Sequence, residues 1–98
     1  MRVSNDQRVD KKIRSLPLDE NSRIVRVIEL FKEGGFGLNE TYLKKLSHKV
    51  WELRAGKWRL LFGIVDDEAI IVNIFKKQTQ KTPKREIDLA TKRLTQYI

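Results

Sequence analysis

The chain has 98 residues, 40% hydrophobic and 35% charged, with a single His and no Cys. A length near the lower end of domain sizes supports one core, so residues 1–98 are expected to form a single domain. The missing Cys and lone His exclude a disulfide framework, a thiolate nucleophile and a Cys- or His-clustered metal site, and no metal or cofactor is expected.

The net charge of +8 is unevenly placed: residues 1–43 carry eight basic against seven acidic side chains, residues 44–98 thirteen against six. The second half is therefore expected to face a polyanion, whether nucleic acid, acidic protein or anionic membrane, unless the charge only solubilises the surface. No apolar run exceeds Leu60 to Val65, far short of a membrane span, so a soluble cytoplasmic protein is expected.

Taken in chain order, Val9, Ile13 and Leu16 follow helical spacing and Asn5 or Asp6 can cap, which predicts a helix over 6–15 that ends before Pro17. A second helix over 19–33 places Ile24, Val27, Ile28 and Phe31 on one face and closes at Gly34-Gly35. Both outer faces carry charges of mixed sign and read as scaffold. Asn39 is expected to cap a brief helical turn through Tyr42 and Leu43, leading into Lys44-Lys45.

The periodicity then changes. Runs rich in Val, Ile, Leu, Trp and Phe, separated by Ala55-Gly56-Lys57 and by Asp66-Asp67-Glu68, predict three antiparallel strands over 49–54, 58–65 and 69–76. A loop with five positive and no negative charges follows, from Lys76 to Arg85. Thr82-Pro83 opens a last helix, with Glu86 in its first turn and Ile87, Ala90 and Leu94 as its buried stripe. The expected class is α+β, an antiparallel sheet with helices packed on one face and the other face open.

Strand alternation sends Trp58, Leu60, Phe62 and Ile64 to one face with Ile70, Val72 and Ile74, and sends Arg54, Arg59, Asn73, Phe75 and Lys77 to the open one. Three cations beside a basic loop form a basin sized for phosphate. Both later strands are apolar on both faces, so a one-residue slip would reverse the assignment. In the bland alternative, Arg54 and Arg59 only pair with Glu52 or with the acidic turn. Trp51 and Trp58 alternate with Leu53 and Leu60, which favours core positions over base stacking.

The segments Val50-Trp51-Glu52-Leu53-Arg54, Trp58-Arg59-Leu60-Leu61-Phe62 and Ile74 to Pro83, with Glu86 and Ala90, resemble the phage-derived branch of the HigB/RelE toxin superfamily. The likeness runs from Ser15 to the C-terminus. It implies a RelE-like microbial ribonuclease fold, a toxin of a type II toxin-antitoxin system that cleaves messenger RNA on the ribosome, and a helix-turn-helix, HigA-like antitoxin as partner. The toxin alone is expected to be a monomer, away from membranes. Members commonly open with a β-strand, and here only Met1 to Ser4 precede the first helix, so that strand is expected to be vestigial or missing.

By the same resemblance Arg59 stands where these toxins have an arginine on the scissile phosphate, and Lys77 near the arginine that follows their last strand. Their paired lysines fall on Val50 and Glu52, and the tyrosine of some relatives is replaced by Gln78, Thr79 and Gln80. The candidate catalytic set is Arg59, Lys77, Arg54, Glu52 and His48. In it the arginines stabilise phosphoryl charge, Lys77, if its positive neighbours depress its pKa, or His48 is the candidate base, and Glu52 is either a base or the partner that orients an arginine. Lys44, Lys45, Lys76, Lys81, Lys84 and Arg85 are candidates for gripping RNA. Placement on an open face predicts that Arg59→Ala and Lys77→Ala leave thermal stability nearly unchanged. Two rival functions remain: a non-catalytic basic module that binds RNA or ribosome, and an interaction domain that docks an acidic protein.

Overall fold

The computed structural model describes residues 1–98. Strand β1 (Arg2–Asn5) leads into helices α1 (Gln7–Ser15) and α2 (Leu18–Gly34). A 3-10 turn at Gly35–Gly37 precedes β2 (Leu43–Lys45), β3 (Trp51–Ala55), β4 (Trp58–Val65) and β5 (Glu68–Lys76). Helix α3 (Lys84–Leu94) and a 3-10 turn at Thr95–Tyr97 end the chain. The five strands lie in the order β1-β5-β4-β3-β2. The expected meander is β3-β4-β5, all antiparallel, with turns at Gly56 (φ +63°) and at Asp66 and Asp67, whose φ values of 50° and 64° suit a tight hairpin.

Two strands lie outside that meander. The N-terminal strand is present, pairing Arg2 to Asn5 in parallel with Glu68 to Ile71, so the sheet is mixed rather than purely antiparallel. Asn39 does make a turn, its Oδ1 accepting from the Thr41 N–H at 2.9 Å, but Leu43 to Lys45 then extend and pair with Trp51 to Leu53. Lys44 thereby stands directly across from Glu52.

The fold is α+β, with helices on both faces of the sheet. Helices α1 and α2 bury Val9, Ile13, Ile24, Val27, Ile28 and Phe31 against Leu53, Trp58, Leu60, Phe62 and Ile71. Trp58 is buried there, its Nε1 donating to Glu20 at 2.9 Å. On the opposite face Ala90 and Leu94 of α3 pack on Val50, Leu61, Ile70 and Val72. The reason is legible in β4, where Trp58 to Gly63 are all buried: a strand apolar on both sides needs cover on both. At Gly63 a methyl group would stand 2.6 Å from Leu94 Cδ1 and 2.9 Å from the Lys49 carbonyl, so α3 approaches the strand as closely as only Gly permits.

Strand β5 also departs from simple alternation. Its pairing with β4 jumps from Leu61↔Asn73 to Phe62↔Ile71, which makes Val72 the extra residue of a β-bulge. Ile70 and Val72 thus face α3, while Ile74 stays with the α1 and α2 core and Asn73 turns to α3. Arg93 of α3 donates to the carbonyl of Val72 at 2.8 Å. Ile64, expected inside, is 41% exposed near the far end of its strand.

The two ends of the chain meet at Asp6, the buried N-cap of α1. Its Oδ1 accepts from the Arg8 N–H and Nε, and its Oδ2 from Arg8 Nη2 and, at 2.5 Å, from the Tyr97 hydroxyl. The hydrogen bonds from Arg8 hold the Asp6 carboxyl well below the usual carboxylate range, burial opposes them, and the Tyr97 hydroxyl adds to the lowering. The same hydrogen bond raises the Tyr97 phenol.

Candidate functional site

Helix α3 covers only part of its face of the sheet. Beyond it, at the end of the sheet where β3 turns into β4 and β5 runs out, lies a cleft of about 590 Å³, walled by the 76–83 loop and the start of α3. Its floor follows from the strand register. Arg54, Arg59 and Phe75 form one cross-strand row, and Lys44, Glu52, Leu61 and Asn73 form the next.

Like charges directly opposite on neighbouring strands repel, so the Arg54 and Arg59 pair requires a counter-charge. Glu52 supplies it from a position only 1% exposed: its Oε1 accepts from Arg54 Nε at 3.0 Å and lies 3.8 Å from Arg59 Nε. Glu52 Oε2 accepts the hydroxyl of Thr82, which ties the basic loop down to the sheet. Arg54 Nη1 reaches the Glu40 carbonyl at 3.2 Å, and Arg59 Nη1 donates to the carbonyls of Gly56 at 2.7 Å and Trp58 at 3.0 Å. Both guanidiniums are held from several sides. Burial lowers the Arg59 pKa, the Glu52 charge pulls it back up, and neighbouring Arg54 lowers it further.

The other carboxylate of the cleft, Glu86, is held through one oxygen. Buried Asn73 donates its Nδ2 to the Glu86 carbonyl at 3.2 Å and to Glu86 Oε1 at 3.0 Å, fixing the start of α3 over β5. Against these two carboxylates the lining carries eight basic side chains: Lys44, Lys45, Arg54, Arg59, Lys76, Lys77, Lys81 and Arg85. Lys77 is exposed, with its backbone N–H on the Lys57 carbonyl at 2.7 Å. Lys45 Nζ stands 5.4 Å from the Trp51 ring centroid. No three His, Asp or Glu side chains converge anywhere as a metal-binding group.

Of the residues singled out in the sequence, two lie apart from this cleft. His48 is exposed in the connection between β2 and β3 and does not line it, and Lys84 points away to a 2.9 Å exposed pair with Asp88 one turn along α3. Arg59 lines the cleft with Arg54 and Lys77 but is only 8% exposed, so it lacks the open placement on which the expectation of unchanged stability rested. Sequence reasoning missed Thr82 as the loop's anchor, since its partner is visible only once Glu52 is known to face inward under α3.

The family model of phage-derived protein Gp49-like matches residues 11–95. The chain belongs to that family. No curated protein matches the Gp49-like chain. Its fold is that of RelE toxins. It is similar to a chain of the archaeal RelE-RelB complex from Pyrococcus horikoshii OT3, with TM-score 0.65 and 21% identity over 82% of this chain and 97% of that one. It is similar to a chain of the RelB-RelE antitoxin-toxin complex from Methanococcus jannaschii, with TM-score 0.57 and 20% identity over 74% and 87%. The isolated RelE toxin of E. coli superposes with TM-score 0.60 at 14% identity, over 89% of this chain and 95% of that one. No helix of the Gp49-like chain is long and apolar enough to cross a membrane.

Proposed function

We propose that this protein is the toxin of a toxin-antitoxin pair and that it cleaves messenger RNA in the cleft between the sheet and the 76–83 loop. The observation that carries this reading is the pair of guanidiniums, Arg54 and Arg59, fixed side by side over one buried carboxylate on the floor of a cleft with a large positive excess. Such an array meets a phosphodiester through preorganised forks, and its stabilisation grows as negative charge accumulates on the phosphoryl oxygens.

The chemistry suited to these groups lets RNA supply its own nucleophile. The ribose 2′-oxygen attacks the adjacent phosphorus, the bond from phosphorus to the 5′-oxygen breaks, and the products are a cyclic phosphate and a free 5′-hydroxyl. Arg54 and Arg59 hold the phosphoryl oxygens and orient the link in line. The Lys77 ammonium gives a proton to the departing 5′-oxygen. Glu52 already accepts on both of its oxygens, and the 2′-hydroxyl loses its proton to solvent. Glu52 is thus an orienting group and not a base. Lys44, Lys45, Lys76, Lys81 and Arg85 grip the flanking backbone, with Lys84 and His48 outside the reacting region.

Two of the structural neighbours are complexes of RelE with RelB, which supports an antitoxin as the protein partner, here a helix-turn-helix protein of the HigA kind. The decisive experiment incubates the protein with ribosome-bound message and maps the ends. New 5′-hydroxyl ends within the reading frame are expected, and intact message at high protein excess would refute the enzyme. One observation favours a second reading, a basic module that holds RNA without cutting: Glu52 already accepts on both carboxylate oxygens and no imidazole lines the cleft. Binding without new ends would select it. Docking of an acidic protein instead of RNA would show as binding unaffected by competing RNA.

A further inference from the structure

A second cleft, of about 580 Å³, lies between α2 and the β2–β3 edge of the sheet, and it shares Arg54 and Arg59 with the first. Its own cations are Arg23 and Arg26, one turn apart on α2, so they lie on one face of the helix. Neither forms an ion pair, and no carboxylate lines this cleft. The side chain of Arg23 lies across Gly56, where an added methyl would come within 2.7 Å of its Nη1. The Gly56 carbonyl accepts from Arg59 Nη1, also at 2.7 Å. The guanidiniums of Arg23 and Arg59 thus bracket one turn, and the positive floor of the first cleft continues around the end of the sheet to α2. Tyr42, half-buried, puts an aromatic ring on the wall of this extension.

We infer that the second cleft is a subsite for single-stranded RNA, holding the nucleotides next to the phosphodiester that sits on Arg54 and Arg59. Arg23 and Arg26 take one backbone phosphate each, and Tyr42 offers a stacking surface to a base. This rests on the reading of the first cleft as an RNA site. Four arginines, only two of them paired with a carboxylate, would also attract an acidic peptide. Continuity through two shared guanidiniums favours instead a chain whose charges recur at every backbone link.

The test uses a 2′-O-methylated RNA, which lacks the free hydroxyl needed for cleavage, at lengths of roughly eight and about three nucleotides. Binding is followed for the wild type and the Arg23→Ala/Arg26→Ala double variant through the Nε–H signals of Arg54 and Arg59. For the longer RNA the variant is expected to bind about tenfold more weakly, and its salt slope to shrink by about 1.4, at 0.7 per lost single-strand phosphate contact. For the shorter RNA the two proteins are expected to bind alike. Equal affinity of variant and wild type for the longer RNA overturns the subsite and leaves the first cleft standing. Absence of wild-type binding at both lengths overturns both. A polyglutamate peptide of matched charge that binds as tightly and loses as much in the variant assigns the cleft to acidic protein and overturns the RNA subsite.

Discussion

Glu52→Gln removes one negative charge from a position that is 1% exposed and leaves Arg54 and Arg59 opposite each other across the β3–β4 pair with no counter-charge between them. At the observed 3.0 and 3.8 Å the bare attraction is about 4–6 kcal/mol for each pair at an effective dielectric near 20. Desolvation of the carboxylate offsets much of it, and Arg54, with 31% of its side chain exposed, is partly screened. Breaking a buried pair on one side costs about 3–5 kcal/mol, mostly because the remaining charge is stranded, here Arg59. For a chain of this size each kcal/mol is worth about 4–8 °C, so the variant should melt at least about 12 °C below the wild type by circular dichroism. Its affinity for RNA should meanwhile hold or rise, because the cleft has gained a unit of positive charge, and saturating RNA should restore part of the lost melting temperature. A melting temperature within about 2 °C of the wild type would refute this account of the pair. Unchanged stability together with abolished cleavage would make Glu52 a catalytic base.

Arg59→Ala should lower both RNA affinity and the melting temperature, whereas Lys77→Ala should relieve growth arrest at unchanged melting temperature; a melting series beside a plating assay separates the two. Trp58→Ala should destabilise by about 3–5 kcal/mol in urea titration, since it empties a core position and strands Glu20. The depressed Asp6 pKa contributes stability that is fully present above its ordinary value of 3.8 and is lost as pH falls through the lower folded value, once the carboxylate held by Arg8 and Tyr97 protonates. Urea midpoints measured from pH 6 down to pH 3 should fall more steeply for the wild type than for Asp6→Asn, and parallel curves would count against it.

The helices and the central meander were legible because their signals are local. Ile24, Val27, Ile28 and Phe31 repeat at helical spacing, Pro17 stops one helix and the Gly34-Gly35 pair the next, and two tight turns punctuate the strands. The placing of Arg54 and Arg59 on one face was legible too, and Lys77 lines the same cleft. What lay beyond reach depended on pairing at a distance. Arg2 to Asn5 are too few to show a period, and they become a strand only because β5 presents a free edge. The bulge at Val72 leaves no mark in a run of Ala, Ile and Val that is apolar throughout, yet it moves Ile70 and Val72 from the expected side to the other. Arg23 and Arg26 read as ordinary solvated charge until the hairpin turn at Gly56 is set against α2.

The parallel pairing of β1 has a consequence for how the protein comes into being. Arg2 to Asn5 leave the ribosome well before their partners at Glu68 to Ile71, so the strand waits, unpaired, while the residues between are made. Thr82, which fastens the basic loop, arrives later still. A nascent product that stops short of Thr82 therefore has its early helices but not the cleft that the 76–83 loop walls.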